Sequence, residues 1–523
     1  MKKNLTVWNL FSVVILAAFA LFIMYPIFLI LYRSVIHGDT GALTLQNFAH
    51  FFAKKFYWGT MVNSLKVTVV STILSAALGL PLAYLMRSVK IKGSSFLNIL
   101  IVISYLSPPF IGAYAWIQML GRQGVITQFL NDTFGLHYGG VYGFAGIVLV
   151  FTLQSFPLVY IYVSGALKNL DNSLNEAAES LGCSRMGRIW KIIVPLVMPT
   201  LLASSMLVFM RVFADFGTPM LIGEGYKTLP VLIYNQFMGE VSGDDGFAAA
   251  ICCIVIGLTI VMFFVQRFLA GRNTYAMTAL KPMAAESLGG LRNILAHLAV
   301  YMVVGLAILP QFVVVYTSFL ATNGGQVFTG GFALQSYDAT LFAKDNDVIW
   351  HTYFLGLCAI AAVLVLGVLI AYLSVRKRNT LNSILDVITM FPFIIPGSVL
   401  GIAFVFAFNK SPIILTGTAL IMIISFAVRR MPYTVRSSTA ILGNISPSIE
   451  EAAISLGASD MTTFRKITVP MMMPGVLSGA IMSWVTIISE LSSSIILYTN
   501  STQTLTVSIY TEVIRGNYGN ASA

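Results

Sequence analysis

Residues 176–199 read EAAESLGCSRMGRIWKIIVPLVMP, and residues 451–474 read EAAISLGASDMTTFRKITVPMMMP. Fourteen of these 24 positions are identical at a constant offset of 275, where ordinary residue frequencies would give about two by chance. The likeness extends outward from this window. Pro157 matches Pro432 and Asp215 matches Glu490 at the same offset. A slip of one residue aligns TLPVLIY at 228–234 with TLTVSIY at 504–510, and LGLPLAYL at 78–85 aligns with LGVLIAYL at 366–373 at an offset of 288. One unit is therefore used twice along the chain.

The unit is a membrane-embedded one. Of 523 residues, 57% are hydrophobic and 10% charged, with a mean hydropathy of +0.84. A soluble domain carries about 25% charged residues, so this chain cannot cover its surface with charge and has no room for a soluble catalytic domain. Apolar runs of spanning length fall near 8–32, 60–86, 97–120, 142–166, 198–222, 246–270, 293–320, 350–374, 381–408, 412–430 and 472–498, eleven in all. The first of these follows Met1-Lys2-Lys3 but is too long for a signal peptide and has no small-residue cleavage site, so it reads as a retained helix.

Charge sets the orientation. The net charge is +11, from 31 Lys and Arg against 20 Asp and Glu. With a cytoplasmic N-terminus, most cations fall on the inner side, including Lys2, Lys3, Arg87, Lys168, Arg185, Arg188, Arg376, Lys377, Arg429, Arg430, Arg436 and Arg465. The outer loops carry acidic groups instead, at Asp244-Asp245 and at Asp338, Asp345 and Asp347. The basic excess is topological, and no nucleic-acid partner is expected. Both EAA segments then lie on the cytoplasmic side, so an even number of spans separates them. The expected fold is an all-α integral membrane protein of two parallel pseudo-twofold repeats of about six transmembrane helices. The first transmembrane domain covers 1–270, a hydrophilic cytoplasmic linker 271–292, and the second domain 293–523. The second repeat stops after TLTVSIY, where its sixth span should begin, so eleven spans and an outer C-terminus are expected.

Each EAA segment reads as a short surface helix. Asp171 or Ser173, and Ser446 or Ser448, are placed to cap it, Glu176 or Glu451 suits the N-terminal dipole, and the two alanines keep one face slim. Gly182 or Gly457 ends the helix or permits close backbone approach, and Pro195 or Pro470 opens the next span. Two near-identical copies at equivalent places favour docking on a two-fold partner over a helix that only ties two spans together.

These residues resemble a known family. Both segments match the EAA-x3-G-x9-I-x-[LV]-P loop of permease subunits in bacterial ABC importers, through Glu176, Ala177, Ala178, Gly182, Ile192, Val194 and Pro195, and through Glu451, Ala452, Ala453, Gly457, Ile467, Val469 and Pro470. The resemblance implies that these loops couple the pore to two copies of a separate ATPase, and that an extracytoplasmic solute-binding protein delivers substrate. The layout of two fused permease units is most similar to the ferric-iron type, with thiamine, polyamine and organophosphonate importers as alternatives. The resemblance also implies residence in the bacterial cytoplasmic membrane. The chain has no G-x4-G-K-[ST] phosphate loop, so it is not expected to be an enzyme or to bind a cofactor, and the partner ATPase uses the ATP and Mg. A secondary transporter with a parallel repeat is the competing class, but it has no need of two EAA loops.

Within the spans, Arg211 and Asp215 are four apart and should share a helix face. The repeat supplies Glu490 at the Asp215 position and Thr486 at the Arg211 position. Asp215 and Glu490, with Arg211 and Ser493, are the candidate lining of the translocation pathway, and Ser492 to Ser494 add oxygen ligands suited to a hard cation. The alternative is that Arg211 neutralises Asp215 as a structural pair and Glu490 finds another partner. The segments SPPF at 107–110 and PFIIPG at 392–397 break helical hydrogen bonding at matching places, as a kink or as part of a gate. Cys183, Cys252, Cys253 and Cys358 lack zinc-type spacing and read as packing residues; His37, His50 and His137 form no catalytic constellation.

Overall fold

In hydrocarbon every backbone N–H and C=O must find a partner within the chain, which leaves helices as the economical solution for runs this apolar. The computed structural model describes residues 7–36, 41–135, 139–239, 245–271, 285–323, 327–342 and 347–523. Lys2, Lys3, His37, His137, Asp244, Lys344, Asp345 and linker residues 272–284 lie outside the described residues. Among those described, eight helices are long and apolar enough to cross a membrane: Val7–Ser34, Lys55–Ser88, Gly143–Lys168, Arg185–Ala214, Asp245–Gln266, Gly290–Ser318, Asp347–Val375 and Asp460–Ile488. Two further pairs qualify if each bent pair is one span. Ser94–Leu106 meets Phe110–Phe134 at 101°, and Thr380–Ile394 meets Gly397–Phe408 at 110°. The breaks fall on the SPPF and PFIIPG segments, and the angles are far beyond a proline kink.

The tenth expected run, 412–430, holds a helix with different bounds. The 412–430 run was ended by the charges Arg429-Arg430, yet the helix begins at Ala419 and continues to Asn444. Its repeat counterpart at offset 275 is Gly143–Lys168, whose Ile147, Val150, Phe156, Val159 and Val163 are wholly buried. Arg429 and Arg430 therefore do not mark the end of this helix. They lie ten residues inside the helix, about 15 Å along its axis.

The spans expected to open at Pro195 and Pro470 begin earlier, at Arg185 and Asp460. Each helix passes through one π-type turn, Ile189–Ile193 or Phe464–Thr468, just before its proline. Proline lacks the N–H that an α-turn would use, and the wider turn absorbs the lost bond without ending the helix. A small antiparallel hairpin, Leu320–Asn323 against Val327–Phe332, interrupts the helical pattern after Gly290–Ser318.

By packing, the chain divides into two compact units that are not contiguous in sequence. One contains Met1–Ala53, Ile233–Ile256 and Thr340–Thr511, and the other contains Lys54–Leu232, Gly257–Ala339 and Glu512–Ala523. The first unit is built on Asp347–Val375, Ala419–Asn444 and Val469–Ile488, and the second on Lys55–Ser88, Gly143–Lys168 and Val194–Ala214. These are the same three elements of the repeat. In both trios a glycine allows a close crossing at the same place. A Cβ at Gly79 would stand 2.7 Å from Val159 Cβ, and one at Gly367 would stand 2.9 Å from Thr434 Cγ2. Val159 and Thr434 are related by the offset of 275, Gly79 and Gly367 by 288. We expect Gly79→Val and Gly367→Val each to lose about 1–3 kcal/mol through overpacking, seen as a lower thermal unfolding midpoint of the detergent-purified chain. An unchanged midpoint in both would mean that the crossing relaxes freely.

Candidate functional site

The two EAA helices are Ser173–Ser180 and Ser448–Ser455. The side chains of Asp171 and Ser446 accept hydrogen bonds from the backbone N–H of Ser173 and Ser448, at 3.0 and 3.4 Å, and so set the turn that leads into each helix. Glu176 and Glu451 lie in the first turns, and Glu176 Oε1 accepts from Asn172 Nδ2 at 2.9 Å. Each helix closes in a Schellman arrangement: Gly182 N donates to Glu179 O and Cys183 N to Ala178 O, as Gly457 N does to Ile454 O and Ala458 N to Ala453 O.

Gly182 and Gly457 have φ of +79° and +91°, and a Cβ there would meet nothing within 4 Å. The glycine is thus explained by backbone handedness, and close approach is not needed. The residue just before it is an almost naked leucine, Leu181 at 88% and Leu456 at 90% exposure. Ala177 and Ala452 are exposed, and Ala178 and Ala453 half-buried. Beyond the glycine, Ser184 and Ser459 cap the long helices by accepting from Gly187 N and Thr462 N, both at 3.2 Å.

Arg211 lies in the last turn of the first of those long helices, and Asp215, Glu490 and Ser493 fall just past the C-terminal ends of the two. Val194–Ala214 stops before Asp215, whose backbone is extended (φ −74°, ψ 131°), so the expected shared helix face of Arg211 and Asp215 does not form. Asp215 Oδ1 accepts from Thr218 N at 2.9 Å and caps the short helix Gly217–Ile222. The Arg211 guanidinium lies 4.7 Å from the centre of the Tyr105 ring, a cation–π placement. At the equivalent place, Glu490 Oε1 accepts from Ser493 N and Oγ, both at 3.2 Å, ahead of the short helix Ser494–Leu497.

Glu490 does more than cap. Oε1 also pairs with Arg429 Nη1 and Oε2 with Arg430 Nη2. Glu490 is 3% exposed and Ser493 fully buried. Both carboxylate oxygens are therefore occupied, which removes Glu490 from the ready ligands for a hard cation. The cluster of two guanidinium groups and one carboxylate keeps one net positive charge. Arg429 also lies against the helix break, since a Cβ at Gly397 would overlap its guanidinium; in the first repeat a Cβ at Gly112 would overlap the Gln154 amide. Gln154 and Ser155 stand at the positions of Arg429 and Arg430. The charged cluster thus belongs to the second repeat alone, on a scaffold that both repeats share. The repeat alignment carries the signal that sequence reading missed: Gly143–Lys168 is one unbroken long helix, so its copy at offset 275 should run on through Arg429 and Arg430.

With this geometry in hand, the chain can be compared with known proteins. The family described as binding-protein-dependent transport system inner membrane component matches residues 75–275 and, a second time, residues 363–516. The chain belongs to this family. The permease is 30% identical to the ferric transport system permease protein FbpB of Actinobacillus pleuropneumoniae, over 98% of this chain and 75% of that relative. It is 24% identical to the Fe(3+)-transport system permease protein FbpB 2 of Haemophilus influenzae, over 88% of this chain and 85% of that one. A solved bacterial ABC transporter involved in the import of the acidic polysaccharide alginate covers 51% of this chain and 98% of its own, at 20% identity and a TM-score of 0.40.

The permease is a multi-pass inner-membrane protein of an ABC importer, and each matched stretch contains one EAA helix and one short capped helix. Among the described residues, no group of three or more His, Cys, Asp and Glu side chains is placed to hold a metal ion. Cys183, Cys252, Cys253 and Cys358 are free thiols.

Proposed function

We propose that this permease imports ferric iron, taking it from an extracytoplasmic solute-binding protein and drawing energy from two copies of a separate ATPase that dock on Ser173–Ser180 and Ser448–Ser455. The observation that carries the reading is the pair of matched EAA helices, each ending in an exposed leucine and a left-handed glycine. The same exposed leucine beside the same slim Ala-Ala face in both repeats offers two equivalent surfaces to a two-fold partner. Likeness to the two ferric permeases along most of the chain supports the cargo. The N-terminus is assigned to the cytoplasm from the distribution of cations, residues 1–270 and 293–523 to the two permease domains, and 271–292 to the linker between them. ATP and Mg are used by the partner, and no cofactor is assigned to this chain.

Arg211, Asp215, Glu490 and Ser493 are assigned to the translocation pathway, Glu490 as the group that holds Arg429 and Arg430 in place and Ser493 as the donor that holds Glu490. A bare trivalent cation gains nothing from that net positive charge, so iron would pass with its accompanying anions. The same charge favours a second reading, an organophosphonate cargo.

The test is reconstitution of the permease with its ATPase and binding protein in proteoliposomes. Uptake of radioactive ferric iron that requires ATP and the binding protein is the expected result. Uptake of 2-aminoethylphosphonate but not iron would replace the cargo. Uptake driven by an ion gradient without ATP would overturn the importer reading altogether.

A further inference from the structure

The two EAA helices are alike in themselves but attached differently to the spans behind them. In the second repeat, Arg376 at the end of Asp347–Val375 reaches back to the EAA helix. Its Nε donates to Glu450 Oε1 at 2.9 Å and its Nη2 to Ile445 O at 2.6 Å, with both side chains about nine-tenths buried. Lys377 pairs with Asp460 at 2.9 Å. Tyr372 packs at a tilt against Phe464 at 4.7 Å between ring centres, and Trp8 closes on both at 4.7 and 5.2 Å. Charge pairs and rings thus fasten the EAA helix to a span from both sides.

The repeat offsets give the first-repeat counterparts of these three ties. Arg376 and Glu450 become Ser88 and Asn175, Lys377 and Asp460 become Val89 and Arg185, and Tyr372 and Phe464 become Tyr84 and Ile189. None of these pairs can form the same bond. At their place is a polar cavity of about 230 Å³ whose lining includes Tyr84, Ser88, Asn175 and Arg185. Among the described residues, the buried Ser88 Oγ meets no hydrogen-bond partner. The first EAA helix is held instead by looser, exposed pairs: Arg188 with Glu179 at 2.5 Å, the latter side chain 65% exposed, and beyond the helix Arg185 with Glu286 at 3.7 Å, 40% and 69% exposed.

We propose that Arg376 and Glu450 are positioning residues for coupling: they clamp the second EAA helix to its span as a stiff lever, while the first EAA helix rests on a cavity and yields. A motion imposed on both helices by two identical ATPase subunits is then transmitted mainly through the second repeat. This inference rests on the importer reading for its transport consequences but not for the stiffness difference itself, and the experiment separates the two.

Nitroxide labels would be placed at Leu181→Cys and Leu456→Cys, matched and exposed, in the full chain with its four native cysteines replaced. Continuous-wave spin resonance of the chain in nanodiscs should show slower motion at 456 than at 181. Arg376→Ala should speed the label at 456 and leave 181 unmoved, and the exchanged pair Arg376→Glu with Glu450→Arg should restore it. Should Arg376→Ala misfold, Arg376→Lys, which keeps the charge but loses the bond to Ile445 O, should give an intermediate spectrum. In proteoliposomes with the ATPase and binding protein, Arg376→Ala should lower transport per ATP hydrolysed by about tenfold, within the usual range for coupling between sites, and the exchanged pair should regain most of it.

Equal mobility at the two labels, or no response at 456, overturns the clamp. Altered mobility with unchanged transport per ATP overturns its role in coupling. Absence of ATP-driven transport by the unmutated chain would instead count against the importer reading, and the label spectra would still decide the stiffness.

Discussion

Replacing Glu490 by Ala should cost about 3–5 kcal/mol of stability, because it leaves two guanidinium groups side by side in a dry interior without their counter-charge. Arg429 and Arg430 are 11% and 18% exposed at the side chain, and neither can rotate to water from the middle of Ala419–Asn444. Asp215→Ala is the control in the first repeat. Asp215 is half-buried and caps one short helix, so its loss should cost only about 1 kcal/mol, as for other caps. Thermal unfolding of the purified chain in one detergent compares the two.

The scaffold offers a sharper variant, because Arg429→Gln, Arg430→Ser and Glu490→Asp together install the residues that the first repeat carries at Gln154, Ser155 and Asp215. That triple variant should recover most of the stability lost in Glu490→Ala. If the cluster takes part in translocation, it should still transport poorly. Equal melting of Glu490→Ala and Asp215→Ala would show that the arginines find other partners, and full transport by the triple variant would remove the cluster from the pathway.

The contrast between these two carboxylates also shows how far sequence reasoning reached. Asp215 and Glu490 were found as equivalents because the repeat is nearly free of gaps between the EAA segment and the short capped helix. That same alignment located both EAA helices and the glycines that follow them, whereas SPPF and PFIIPG, read as a kink or as part of a gate, stand at breaks of 101° and 110°. It misjudged what hydropathy alone had bounded. A run of apolar residues ends where charges begin, so the span near 412–430 ends at Arg429-Arg430, although the buried Glu490 carboxylate, in the loop past Val469–Ile488, pairs with both charges inside the helix.

Glu490 could not be matched to its arginines from one sequence, since 60 and 61 residues separate them. The clamp at Arg376 and Glu450 was hidden for a related reason. It lies where the two repeats differ, and likeness between repeats is blind to it. The packing units differ from the sequence halves because hydropathy finds a helix but not its neighbours: Val7–Ser34 and Gly290–Ser318 each pack in the unit that holds the core of the other repeat.

The second large effect is expected at the tips of the EAA helices. Leu181 and Leu456 keep nearly all of their surface in water at matched places in the two repeats, so a docked ATPase would have both to cover. Covering one leucine side chain is worth about 1.5–3 kcal/mol, so Leu181→Asp with Leu456→Asp should weaken ATPase binding by roughly a hundredfold or more. Neither side chain supports the permease's own core, so the variant should insert and melt like the unmodified chain. Affinity purification of the tagged chain should then bring down little or no ATPase, and ATP-driven uptake should vanish.

Glu176→Ala with Glu451→Ala should act differently. Glu451 is exposed, and Glu176 is half-buried with a bond to Asn172, so their removal alters the polar face offered to the partner without taking away the apolar knobs. That pair should retain the ATPase and its hydrolysis while transport falls, which separates coupling from docking. Normal uptake by both double variants would mean that the EAA helices only tie spans together, and the ATPase would have to be sought elsewhere on the cytoplasmic face.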